Sequence, residues 1–242
     1  LNFRATDFEF RYRFFFIVGI FWLGFGTYAL GDINVSVALA SRILGPGVGP
    51  DSPRLEHSVR LMFALGSFAV ALGALIRSWA EAYLHSSVVH DKELHSSRLV
   101  ADGPYRYVRN PLYLGNILLA LGVGLMASRA GFVVLVLGMT LFVYRLILRE
   151  EAGLLESQGE SFRRFRESVP RLLPALRPRV PAGEARPDWV DGFVGETCMW
   201  SVAVAEAVFA ATLRLAYFWI ILGSGFSVYY LQNYLRRPRR SS

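Results

Sequence analysis

The 242-residue chain is 53% hydrophobic and 19% charged, with a mean hydropathy of +0.35, too apolar for an ordinary soluble domain of this length. Its net charge of +7 does not point to nucleic acid, because the basic residues gather beside long apolar runs and form no separate basic face. Lys92 is the only lysine, so the positive charge is almost all arginine, suited to interfacial anchoring and to bidentate contacts with carboxylates or phosphates. The single cysteine, Cys198, can close no internal disulfide and lacks the clustered partners of a zinc or iron–sulfur site.

Hydrocarbon about 30 Å thick takes roughly 20 apolar residues of helix. In chain order the first such run is Phe14–Leu30; it is rich in bulky aromatics and no small-residue cleavage site follows, so it reads as a retained span and not a signal peptide. Gly31–Ser58 follows as an external segment, irregular over Gly45–Pro53, and Val59–Trp79 is the second span. Leu112–Ala127 and Gly131–Leu148 are the third and fourth. A soluble helical core would carry polar stripes, yet Phe132–Tyr144 is apolar around its circumference.

Only Ser128-Arg129-Ala130 separates the third and fourth spans, which predicts a tight antiparallel hairpin. Its outer ends, His85–Asn110 and Arg149–Arg186, then share one surface, and their arginines make that surface cytoplasmic by the positive-inside tendency. Arg4, Arg11 and Arg13 place the start of the first span on the same side. A last apolar tract, Thr197 to Leu231, is interrupted by Arg214. Two short spans meeting there return Arg236, Arg237, Arg239 and Arg240 to the cytoplasm, whereas one long tilted span leaves them outside; two spans are the favoured reading. Glu206 and Arg214 lie within the tract, either as functional groups or as residues that pair with each other or sit near an interface.

Between these regions Leu154–Val169 mixes Leu154, Leu155, Phe162, Phe165 and Val169 with Glu156, Glu160, Arg163, Arg164 and Glu167. This predicts an amphipathic helix that lies on the membrane or caps a site. Pro170, Pro174, Pro178 and Pro181 then enforce an extended connector.

Two polar clusters stand out on the predicted cytoplasmic side. In Gly103-Pro-Tyr-Arg-Tyr-Val-Arg-Asn-Pro-Leu-Tyr-Leu-Gly115, Asn110 is a good N-cap and Pro111 suits a first helical position, so a helix N-terminus with Arg109 beside it offers an anion site. Gly115, one turn on, allows close approach of a ligand. The second cluster is Arg145, Arg149, Glu150 and Glu151 at the end of the fourth span, where one glutamate faces inward to bind ribose hydroxyls, an ammonium group or Arg109. Its plain alternative is a solvated charge run anchoring the helix.

The ordered pattern Gly103-Pro104-Tyr105, Arg109-Asn110-Pro111, Tyr113, Gly115, Arg149-Glu150-Glu151, Leu154, Gly159-Glu160, Phe162, Phe165, Val169-Pro170 and Pro174 resembles the superfamily of isoprenylcysteine carboxyl methyltransferases and phospholipid N-methyltransferases. The resemblance runs through about Gly66–Pro174, and the Gly73 to Ala80 stretch, with Arg77, is similar to the helix that precedes the family's cofactor loop. It implies an all-α fold: a polytopic transmembrane helical bundle of five to six spans with a cytoplasmic cofactor loop and an amphipathic helix. Residues 1–58 would hold the N-terminal span and external loop, 59–181 the methyltransferase core, and 182–242 C-terminal helices with a basic tail.

By the same resemblance S-adenosylmethionine binds in a cytoplasm-facing pocket, with Arg77, His95, Val100, Tyr105, Asn110, Pro111, Tyr113 and Gly115 as cofactor-binding residues and Arg109, Glu150 and Glu151 as catalytic ones. The methyl acceptor is a lipid-like amphiphile from the bilayer; no nucleic acid or metal partner is expected. Carboxyl methyltransferases of the superfamily carry histidine where this chain has Asn110, which cannot titrate and so fits cofactor positioning better than proton transfer. An ammonium acceptor would need a base, with Glu150, Glu151 or His95 as candidates. Tyr105, Tyr107 and Tyr113 face a sulfonium or act as interfacial aromatics.

His85, His90 and His95 are spaced by five, off a common helical face, which argues against a metal centre. Two rival functions stand beside the methyltransferase. A nicotinamide-dependent reductase of lipid double bonds would draw on Arg77, Arg106, Arg109 and Arg149 for the extra phosphate. A non-catalytic membrane protein would leave the two clusters without a task.

Overall fold

In the computed structural model, which describes residues 3–90 and 101–236, Thr6 opens the first helix with a capping box. Its hydroxyl accepts the Glu9 N–H at 3.2 Å and the Glu9 carboxylate accepts the Thr6 N–H at 2.7 Å. Helix α1 (Asp7–Arg11) leads into α2 (Arg13–Gly26), which tightens into a 3-10 turn over Thr27–Leu30 and stops at Gly31, φ 75°. The described residues are otherwise helical in α3 (Val35–Leu44), α4 (Pro53–His90), α5 (Pro111–Gly124), α6 (Arg129–Gln158), α7 (Glu160–Ser168), α8 (Trp189–Gly195), α9 (Thr197–Thr212) and α10 (Leu215–Leu235).

Three of these helices are long and apolar enough to cross a membrane: α2 with its 3-10 extension, α4 and α6. A fourth is reached if α8 and α9, bent by 62° at their junction, count as one broken span. The chain is therefore built as an integral membrane protein. Helix α5 has 14 residues, about 21 Å of helix at 1.5 Å per residue, and is apolar but shorter than a typical span.

Four elements differ in extent from the sequence expectation. Helix α3 lies inside the segment read as external loop, because Asn34 caps it by accepting the Ser36 and Val37 N–H groups at 2.8 and 3.1 Å. Helix α4 begins at Pro53 and outruns Val59–Trp79 at both ends; no proline follows Pro53 within it, so nothing stops the helix where the apolar run stops. Helix α6 carries on through Glu150 and Glu151 to Gln158. The single amphipathic helix expected over Leu154–Val169 is thus the end of α6 plus α7, broken at Gly159, where φ is 54°.

Helix α4 is the centre of the bundle, packed on α5 at one side and on α8 and α9 at the other; α6 packs on α5 and α2, and α10 on α9. Two glycine pairs let α4 and α5 approach as antiparallel backbones: Gly66 lies against Gly122, and Gly73 against Gly115. A Cβ on Gly73 would sit 2.9 Å from the Gly115 carbonyl oxygen, and one on Gly66 would sit 2.8 Å from that of Gly122. Because each pair is seven residues apart along its helix, both fall on one face, the small-residue packing by which membrane helices associate.

The α5–α6 hairpin turns over Leu125–Ser128. Asn34 closes it from outside, donating from Nδ2 to the Met126 and Ala127 carbonyls at 2.9 and 3.2 Å, which satisfies groups a helix end leaves unpaired. Asp32 accepts the Ala130 N–H and the Arg129 Nε at 2.8 Å each. The backbone bond from Ala130, then the Arg129 guanidinium, hold its carboxyl at about 2 against an ordinary 3.8. The folded value is the lower one, so the contribution is complete above 3.8 and fades as pH falls toward 2. Thermal unfolding in detergent is expected to place the Asp32→Asn variant below the wild type at neutral pH and to bring the two together across that acid interval.

At the C-terminal tract the chain breaks at Leu213, φ 53°, and Arg214 precedes α10, so the tract forms two helices packed on each other.

Candidate functional site

The first turn of α5 and the later half of α6 meet at one carboxylate, Glu151, which is 6% exposed. Asn110 stands in the N-cap position, yet its side chain caps nothing. Its amide donates instead to Glu151 Oε1 at 3.4 Å and to the Arg171 carbonyl at 3.1 Å. Arg109 brings Nη2 to 3.4 Å from Glu151 Oε1, donates from Nη1 to the Arg166 carbonyl at 3.0 Å, and keeps a side chain only 8% exposed. Arg171 completes the cluster, with Nη2 at 2.8 Å and Nε at 3.2 Å from the Glu151 oxygens and Nη1 donating to the Tyr144 hydroxyl at 2.6 Å.

Two guanidiniums and an amide thus compensate one buried carboxylate, the condition under which burying charge is tolerated. Burial pulls the Arg109 guanidinium below its ordinary value, and the Glu151 hydrogen bonds raise that of Arg171. Glu150, one residue earlier, points elsewhere: the half-buried Tyr113 hydroxyl donates to its Oε1 at 2.6 Å. Tyr105 packs beside Phe162, Phe165 and Val169. Burial first, and then the charges of Glu81 and Glu150, push its phenol upward, so it stays a neutral donor.

Above this cluster the proline connector runs as a strap along the loop that precedes α5. Arg109 N–H donates to the Pro170 carbonyl at 2.9 Å, Ala175 N–H to Tyr107 at 2.9 Å, and Arg179 N–H to Arg106 at 2.8 Å. Helix α7 turns its apolar face inward, with Phe162 and Phe165 buried, and so serves as a cap.

Several residues singled out in the sequence have other surroundings. Arg77 is held by Glu196 in a bidentate pair, both contacts 2.7 Å, and also donates to Asn116 Oδ1 at 2.9 Å and the Leu112 carbonyl at 3.1 Å. Gly115 admits Arg77 and the α4 backbone: a Cβ would lie 3.0 Å from the Gly73 carbonyl and collide with the Arg77 side chain. Pro111 is buried at the first position of α5. Arg145 pairs with Glu9 at 2.7 Å, and Arg149 with Asp7 and the Ala5 carbonyl, so the N-terminal segment is strapped to α6. His95 and Val100 lie outside the described residues.

Glu206 is completely buried against Gly66, and neither carboxylate oxygen has a hydrogen-bond partner among the described residues. Arg214 does not pair with it, donating to the Tyr217 hydroxyl at 3.2 Å. Among the described residues no three His, Cys, Asp or Glu side chains cluster as a metal site. The sequence reading missed Arg171, Tyr144 and Glu196. An arginine directly after Val169-Pro170, and an acid heading a long apolar tract, were the available signals.

Residues 61–159, which carry α5, Arg109, Asn110, Glu150 and Glu151, match the family model for phospholipid methyltransferase. Over 111 residues the chain is 32% identical to the protein-S-isoprenylcysteine O-methyltransferase of Schizosaccharomyces pombe, covering 44% of this chain and 47% of that protein. The likeness to methyltransferases thus covers less than half of the chain. The chain is also 32% identical over 117 residues to the cobalt-zinc-cadmium resistance protein CzcN of Cupriavidus metallidurans, covering 48% of this chain and 50% of that one. A third relative, the nickel-cobalt-cadmium resistance protein NccN of Alcaligenes xylosoxydans xylosoxydans, is 24% identical over 144 residues, 60% of this chain and 62% of its own. The chain spans about half the length of the first two relatives it matches. No solved structure matches it significantly. Within the matched residues Arg109 and Asn110, before α5, meet Glu151 of α6.

Proposed function

We propose that the chain is an integral membrane methyltransferase that uses S-adenosylmethionine to methylate a lipid or lipidated amphiphile, at a carboxyl or amine group. The observation that carries this reading is the convergence of Arg109 and Asn110, at the start of α5, on Glu151 of α6, with Glu150 and Tyr113 beside them. That convergence brings the two charged stretches of the sequence together.

The residues fit the donor. Arg109 Nε is a buried N–H without a partner among the described residues, and the first turn of α5 has no side-chain cap; together they suit a carboxylate. Glu150 offers an acceptor for an ammonium or ribose hydroxyl, and Tyr113 fixes its orientation. When bound, S-adenosylmethionine supplies an electrophilic methyl group on a sulfonium. The protein contributes alignment, for which a rigid pocket is worth several kcal/mol. A carboxylate acceptor needs no base, whereas an ammonium acceptor first gives up a proton, for which Glu150, held by the Tyr113 hydroxyl, is the candidate. Asn110 holds Glu151 and takes no proton.

In this reading the bundle has five to six spans, with residues 59–181 as the methyltransferase core, the donor site facing the cytoplasm and the acceptor entering from the bilayer. Calorimetric titration of the purified protein tests it: heat with S-adenosylmethionine and none with NADPH is expected, and the reverse overturns the cofactor assignment. Arg109→Ala is expected to weaken donor binding by about tenfold to a hundredfold, the value of charge-assisted hydrogen bonds. The reductase reading gains nothing from Arg77, Arg106 and Arg149, which are engaged with Glu196, the Val180 carbonyl, and Asp7 and Ala5.

A further inference from the structure

The strap carries two leucines that nothing among the described residues covers: Leu173 is 82% exposed and Leu176 fully exposed. Their level relative to the bilayer follows from their neighbours. Arg171 reaches the Tyr144 hydroxyl, and Leu172 packs against the cluster of Met139, Val143 and Ile147 of α6. Leu173, next along the chain, therefore sits where the bundle leaves the hydrocarbon.

The exposure is not that of a freely turning loop. The Ala175 and Arg179 N–H groups are bonded to Tyr107 and Arg106, and Pro174 and Pro178 fix the backbone between. No acid occurs from Val169 to Pro181, while the side chains of Arg177 and Arg179 are exposed beside Leu176. Apolar residues at interfacial depth, bordered by arginine with no compensating acid, are the composition that binds an anionic lipid surface.

We infer that the strap is a membrane-surface anchor, with Leu173 and Leu176 seated among the acyl chains and Arg177 and Arg179 on the phosphates of anionic phospholipids. The same strap carries Arg171 onto Glu151. The anchor requires only that the bundle be in a bilayer and stands apart from the identity of the methyl donor.

Site-directed spin labelling of the full chain tests this. In a Cys198→Ala background a label is placed by Leu176→Cys, or by Glu167→Cys on the exposed face of α7, and the protein is reconstituted in nanodiscs. One set of discs is phosphatidylcholine alone and the other equal parts phosphatidylcholine and phosphatidylglycerol. The label at 176 is expected to collide with dissolved oxygen in preference to an aqueous nickel chelate in the mixed discs, and the label at 167 to do the opposite. Each arginine near an anionic surface is worth about a fivefold shift in partition, so Arg177→Gln with Arg179→Gln should lower the oxygen preference at 176 by about 25-fold. Equal insertion in phosphatidylcholine alone would overturn the anionic-lipid assignment. Chelate access at 176 matching that at 167 in both lipids would overturn the anchor itself. Neither readout uses donor or acceptor, so failure here leaves the methyltransferase reading untouched.

Discussion

Glu151→Ala is expected to lower stability by about 3–5 kcal/mol, the cost of stripping one partner from a buried ion cluster. Arg109, with a side chain 8% exposed, would lose its acidic contact among the described residues, and Arg171 would lose its bidentate partner. Since Arg171 stands at the root of the strap, its release should also expose the Ala175 and Arg179 amides, whose hydrogen bonds fasten the strap to the α5 loop. Thermal unfolding in detergent and hydrogen exchange at those two amides measure the two effects. Glu151→Gln keeps the shape and one acceptor oxygen while removing the charge, and should fall between. A variant as stable as wild type, with unchanged exchange, would mean that Glu151 serves a ligand alone and does not hold the strap.

The second large effect is expected at Arg77. Arg77→Ala would leave Glu196, 4% exposed, without its bidentate partner, and would remove the guanidinium bonds to the Leu112 carbonyl and the Asn116 side chain. A loss of about 3–5 kcal/mol is expected here too. The double variant Arg77→Met with Glu196→Leu should recover most of it, because an apolar pair of similar volume avoids the desolvation that a buried ion pair carries. Donor affinity measured in that folded double variant separates two roles. Affinity within about threefold of wild type, well under the loss of one charge-assisted bond, assigns Arg77 to holding α4, α5 and the α8–α9 junction together. A larger loss assigns it to the donor.

Some of this molecule is written in local sequence. The apolar runs announce membrane helices because hydropathy over 20 residues depends on composition alone, and α2, α4 and α6 meet that test in three dimensions. Asn110-Pro111 fixes the start of α5 because a missing N–H is harmless only in a first helical turn. The prolines from Pro170 onward prevent helix in the connector by the same chemistry read in reverse. Arg214 marks a real break, since Leu213 beside it takes a left-handed backbone and ends α9.

Other features belong to partners distant in the chain. Asn110 was legible as a cap but acts on Glu151, 41 residues away, and Arg77 and Glu196 are 119 residues apart. Gly115 was legible as a point of close approach, yet only the fold says that Arg77 and α4 approach it. Glu206 and Arg214 share one apolar tract and still do not pair, because the break at Leu213 separates the helices that carry them.

Sequence by itself determined a chain of apolar, membrane-length helices, the start of α5 and two charged stretches. Tertiary structure decided which charges meet: Glu151 with Arg109 and Arg171, and Glu196 with Arg77. The physical reason is range. Hydropathy and capping act within a turn or a span, whereas a buried ion pair exists only once packing has brought two remote side chains out of water together.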